Sequence, residues 1–104
     1  MTPIIYLYKS DKPSKKFYIQ YINPTSGRLK KTYFGASNYE DYTIHKNSKR
    51  KMLYLKRHSG MNEDYSNIYS AGALARALLW NQKTLEASIL DTNEKYGVKI
   101  IKQF

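Results

Sequence analysis

Cysteine is absent from this 104-residue chain, which excludes a disulfide framework and thiolate chemistry and fits a reducing compartment such as cytosol or nucleus. Histidine is scarce. His45 and His58 stand beside no Cys, and neither has a second His four residues away, so the ligand spacing of a zinc site is missing. The five glycines are scattered, which leaves no glycine-rich phosphate loop, and no G-x-S-x-G elbow occurs. No apolar run reaches the length of a membrane helix, and Met1 to Tyr8 lacks the basic flank of a signal peptide. Acids are scarce in one region above all: residues 1–60 hold only Asp11, Glu40 and Asp41.

Against those three acids the same stretch sets 13 bases: Lys9, Lys12, Lys15, Lys16, Arg28, Lys30, Lys31, Lys46, Lys49, Arg50, Lys51, Lys56 and Arg57. Residues 61–104 hold five bases and five acids, so the first 60 residues carry the entire net charge of +10. A half-chain with all the excess charge is built to meet a polyanion. Tyrosine is the other outlier, with 11 copies against three Phe and one Trp. Its ring and hydroxyl suit half-buried sheet faces, interfaces and stacking on bases. Hydrophobic content of 41% and charged content of 25% are those of an ordinary globular domain.

The pattern predicts one α+β domain over 1–104. A three-stranded antiparallel β-meander occupies 4–34, followed by three to four short α-helices packed on the sheet. Strands are expected at 4–9, 17–22 and 29–34, with Asn23-Pro24-Thr25-Ser26-Gly27 as the turn between the last two. Phe17, Ile19 and Tyr21 share one face of the hairpin, and Tyr18, Gln20 and Ile22 the other. One of these faces packs on helices, and the alternation leaves open which. A basic helical segment spans 37–58. Ser37 and Glu40 form a capping box there, Asn47 or Ser48 caps a second helix, and Gly60 stops it. A loop covers 59–69. A helical hairpin occupies 70–96, with Ser70 and Thr84 as caps, Gly97 as the stop and Ala71, Leu74, Ala75, Leu78 and Leu79 on one face. Residues 98–104 read as a tail or a short strand.

No catalytic residue, metal or cofactor is expected. The best catalytic candidate is the neighbourhood of Asp41, His45 and Arg50, where Asp41 and His45 are four apart on one predicted helix. Such a pair more often holds a helix end. The expected partner is nucleic acid, DNA rather than RNA, with no membrane contact. Lys30, Lys31, Lys49, Arg50, Lys51 and Arg57 would meet phosphates, while Tyr18 and Tyr54 would stack on bases or pack on sugars. Replacing Lys49, Arg50 and Lys51 by Glu is expected to abolish DNA retention without changing the circular dichroism spectrum. Leu78 and Trp80 are the candidates for a protein-docking surface on the neutral half.

Tyr33-Phe34-Gly35-Ala36 and Tyr39-Glu40-Asp41-Tyr42-Thr43-Ile44-His45-Lys46, followed by Arg50-Lys51, Tyr54 and Arg57-His58, form a connected string. Ala71-Gly72, Leu78-Leu79-Trp80-Asn81 and Thr84-Leu85-Glu86-Ala87-Ser88-Ile89 continue it. The string is similar to a family of short basic proteins of unknown function from large nucleocytoplasmic DNA viruses of mimivirus- and phycodnavirus-like lineages. The chain departs from that family at Asn47-Ser48, where Asp-Pro is frequent, and at Tyr65 or Tyr69, where Trp is frequent. The resemblance implies a viral protein made in a host cell, in the cytoplasmic or nuclear viral factory or packaged in the virion. Two roles follow from it: binding the genome, or serving as a minor capsid or core structural protein through contacts with other virion proteins.

Overall fold

The computed structural model describes residues 2–59 and 66–104. β1 (Ile4–Lys9), β2 (Lys15–Ile22) and β3 (Leu29–Ala36) form the expected antiparallel meander. The 23–28 turn closes as its residue types dictate. Asn23 Oδ1 accepts from the Thr25 and Ser26 amides at 2.8 and 3.2 Å, and Gly27 takes a positive φ of 71° where the chain reverses. That closure sets the register, Ile22 opposite Leu29 and Tyr18 opposite Tyr33.

The sheet has a fourth strand, which corrects the three-stranded antiparallel expectation. β4 (Lys99–Lys102) pairs in parallel with β1, placing Ile5 beside Ile100, and the strand order is β3-β2-β1-β4. A parallel neighbour needs a long crossover, and the whole helical portion of the chain supplies it. Of the two readings for residues 98–104, the strand holds. The sheet is mixed, and the fold is α+β.

The helices are α1 (Tyr42–His45), α2 (Ser48–Ser59), α3 (Ala71–Leu74) and α4 (Leu85–Tyr96). α3 runs on as a π-helical turn, Ala75–Leu79, closed by the Trp80 amide on the Ala75 carbonyl at 3.2 Å. Ser70 and Thr84 cap as expected, accepting from the Ala73 and Ala87 amides. Asn47 caps α2, taking the Lys49 and Arg50 amides at 3.0 and 3.1 Å. The stop expected at Gly60 and most of the 59–69 loop lie outside the described residues. The Ser37–Glu40 capping box does not form. Ser37 stays tied to the β1–β2 loop, its hydroxyl donating to the Pro13 carbonyl at 2.6 Å and its amide to Ser14. Asp41, an equally good cap, starts α1 instead by accepting from the Thr43 amide at 2.9 Å.

One sheet face forms the core. Ile5, Leu7, Ile19, Phe34 and Ile100 pack against Leu74, Leu78, Leu79 and Ile89. The buried stripe takes in Ala73 and Ala77, while Ala71 stays exposed. Gly35 permits a close approach of sheet to helix. Its φ is 79°, and a Cβ there would lie 2.8 Å from Leu79 Cδ1. The opposite sheet face is covered by none of the described helices, and Ile4, Tyr6, Ile22 and Leu29 are exposed on it. No described helix is long and apolar enough to cross a membrane.

Candidate nucleic-acid interface

The alternation of β2 now has a direction. Phe17, Ile19 and Tyr21 turn to the core side, leaving Tyr18, Gln20 and Ile22 on the uncovered face. The register brings Tyr8, Tyr18 and Tyr33 into one row across β1, β2 and β3. Their rings follow one another with centroids 5.0 Å apart in both pairs, Tyr8 stacked on Tyr18 and Tyr33 tilted by 37° against it. Two lysines join the row: Lys12 Nζ stands 4.1 Å from the Tyr33 ring centre and Lys31 Nζ 5.1 Å from that of Tyr18. Such cation–ring contacts hold an ammonium group over a flat surface while its charge remains available. Tyr33 donates its hydroxyl to Asp11 at 2.8 Å. That bond holds the Asp11 carboxyl below its usual range, with Lys31 and Lys12 adding to it, and raises the Tyr33 hydroxyl.

The predicted phosphate contacts do not form one surface. Lys31 and Tyr18 lie on the uncovered sheet face. Lys30 is exposed but alternates to the other side, opposite Tyr21. Lys49, Arg50 and Arg57 are exposed on α2, which packs on the helical side of the domain through Tyr54. Arg50 reaches Glu40 at 3.6 Å across the surface, a contact of small energetic consequence. Lys51 turns inward: its Nζ donates to the Asn81 carbonyl at 2.5 Å and lies 4.9 Å from the Tyr42 ring centre. The triple Glu replacement at 49–51 would therefore strike packing as well as charge. Lys16 and Lys46 are likewise internal ties, Lys16 to Asp41 at 2.6 Å and Lys46 to the Thr43 and Lys83 carbonyls.

Three apolar or aromatic expectations need correction. Tyr54 is 8% exposed and stacks on Trp80 with ring centres 4.2 Å apart and planes 3° apart, so no base can reach its face. Leu78 is fully buried in the core and docks nothing. Trp80 is held between Tyr54 and His45. On α2 the exposed apolar residues are instead Met52 and Leu53.

The His45 amide donates to the Asp41 carbonyl at 3.0 Å, but no hydrogen bond joins their side chains. Asp41 is buried with its oxygens occupied by Lys16 and by the Thr43 amide and hydroxyl. His45 Nδ1 accepts from the Asn47 amide at 2.9 Å, which places its proton on Nε2, a buried atom without a partner among the described residues. Burial, followed by the Arg50 charge, pulls the His45 pKa below its ordinary value. The geometry gives Asp41 the work of a cap and His45 that of a helix junction. Among the described residues no group of three His, Cys, Asp or Glu could hold a metal ion.

Tyr8, Lys12 and Tyr33 lie apart in the sequence, and no local pattern brings them together. Tyr18 and Tyr33 were within reach of the hairpin register. Tyr8 and Lys12 join them only once β1 pairs with β2. No curated protein and no solved structure matches the chain. Residues 5–58, which run from β1 through nearly all of α2 and hold most of the basic half, match a family of unknown function. The chain belongs to that family, DUF5754.

Proposed function

We propose that this protein is a small, non-enzymatic nucleic-acid-binding domain that grips the phosphate backbone with little regard to sequence. The observation that carries the reading is the pair of lysines, Lys12 and Lys31, standing over Tyr33 and Tyr18 on a sheet face that no described helix covers. The excess charge supports it. Lys15, Arg28, Lys30, Lys49 and Arg57 form no ion pair with a described acid, so phosphates would displace counterions rather than existing partners. The tyrosines favour backbone over base contacts. Tyr18 has a ring on each side, which leaves it no free face for a base. Duplex DNA is the partner we favour. The resemblance in the motifs supports a setting in a large DNA virus, in the viral factory or the virion.

Fluorescence anisotropy with duplex DNA, titrated with salt, tests the reading. The expected affinity falls steeply as salt rises, with a logarithmic slope of about −0.9 per phosphate contacted. Combined Lys12→Glu and Lys31→Glu replacement should weaken it by about tenfold or more. Absence of binding at low salt would reject the model. A second reading, a minor capsid or core protein acting through protein contacts, is favoured by one observation. Ile22 and Leu29, opposite each other at the hairpin end, are 59% and 62% exposed on the same sheet face as exposed Ile4.

A further inference from the structure

Beside the close approach of Gly35 to Leu79, the described residues line a cleft of about 380 Å³, large enough for one small ligand. The end of the sheet supplies Lys16, Gly35 and Ala36, and the π turn supplies Ala75 and Leu79. Such turns are frequent at functional sites. Arg57 and His58 close the cleft from the end of α2, Tyr39 and Glu40 from the segment before α1, and Tyr54 and Trp80 add their stacked rings. Its formal charges, histidine aside, cancel. Lys16 is tied to Asp41 at 2.6 Å, and both side chains are largely buried. Glu40 and Arg57 are exposed, and Arg57 forms no ion pair with a described acid. A phosphate in the cleft would face two carboxylates and one uncommitted cation. A nucleobase fits better: it is flat and neutral, it carries N–H donors that Glu40 can accept, and its phosphate can stay outside at Arg57. Tyr39 is 70% exposed and packs on no other described ring, so unlike Tyr18 it keeps a face for a base. A base held in a duplex stack cannot enter such a cleft, and an unpaired one can.

From this lining we infer that the cleft takes the base of an unpaired nucleotide, at a strand end or in a single-stranded stretch, with the ring on Tyr39, its donor edge at Glu40 and its phosphate at Arg57. The inference rests on the nucleic-acid reading above and adds to the backbone grip a site that senses whether a base is paired. Three DNA duplexes with the same paired region separate base from charge: one blunt, one with a short adenine overhang, and one with an overhang of equal length made of abasic sites. Anisotropy gives the affinity, and the emission of Trp80, the single tryptophan of the sequence and part of the lining, reports occupancy of the cleft. The adenine overhang should bind about tenfold more tightly than the abasic one and should change the Trp80 emission, which the blunt duplex leaves as it is. Tyr39→Ala should remove that advantage with blunt-duplex binding unchanged, and Tyr39→Phe should keep it. Arg57→Gln should weaken binding of the adenine overhang more than that of the blunt duplex. Both side chains are exposed, and circular dichroism confirms that each variant is folded. No binding of any duplex at low salt would overturn the nucleic-acid reading, and the cleft assignment with it. Equal affinity for adenine and abasic overhangs, a silent Trp80, or an advantage that survives Tyr39→Ala would each overturn the cleft assignment alone.

Discussion

α2 and α4 are both twelve residues long, and they have opposite jobs. α4 is framed by Thr84 and Gly97, buries Ser88, Ile89 and Thr92, and joins the sheet core. α2 contributes no residue to that core. Tyr54 is its buried anchor, Lys51 ties it to Asn81, and Met52 and Leu53 face solvent. α4 exists to close the fold; α2 is carried by the fold and displays charge. The difference shows why composition alone points to the right half of the chain but misplaces individual residues. Charge density marks the displayed helix, yet which of its cations are displayed depends on the neighbour it leans on.

The sharpest way to break this comparison is with two leucines. Leu78 is completely buried and Leu53 is 56% exposed. Leu78→Ala should cost about 4 kcal/mol of stability, transfer and cavity terms together. Leu53→Ala should stay within about 0.5 kcal/mol. Urea unfolding measures both. A large loss at Leu53 would mean that α2 is part of the folding unit, and the contrast with α4 would collapse.

Neighbouring cations sharpen the comparison further. Lys51 donates to a backbone carbonyl from a half-buried position, while Lys49 is exposed one half-turn away. Lys51→Ala should cost about 2 kcal/mol, the range of a hydrogen bond to a charged group. Lys49→Ala should be near neutral in stability and should weaken DNA binding instead. Equal stability effects at the two sites would remove Lys51 from its role as a tie.

What the sequence disclosed follows the range over which each signal acts. The β2–β3 hairpin was legible because Asn23 and Gly27 make their own turn within five residues. Ser70 and Thr84 were legible for the same reason: a cap acts within one turn of helix. β4 was not, because its partner β1 lies at the other end of the chain and its own alternation is weak. The choice of Asp41 over Ser37 as a cap was settled by a contact with the β1–β2 loop, and the inward turn of Lys51 by a carbonyl on a later segment. For the candidate site, charge and tyrosine content were visible at once. Their division between the uncovered sheet face and α2 was not, because it needs the direction of the sheet face and the docking of Tyr54 on Trp80.

The smallest expected effect lies at the joint between body and α2. His45 ends α1, touches Trp80 and accepts the Asn47 amide just before α2 begins. Burial first, and then Arg50 and Lys16, hold its pKa below 6.5, against the opposing pull of Glu40 and Asp41. The unfolded chain therefore takes up this proton at higher pH than the folded one does. Stability from this group is complete above the unfolded value and is lost as pH falls below about 6.5, levelling off beneath the folded value. Protonation also removes the lone pair that receives the Asn47 amide, so the loss should register where α2 is attached. His45→Gln should flatten the dependence of the urea midpoint between about pH 7.5 and about pH 5.5. An unchanged slope in that variant would assign the pH dependence to other groups and leave His45 as packing alone. A flattened slope would make the joint, rather than the core, the place where acid first loosens the charged helix from the body that carries it.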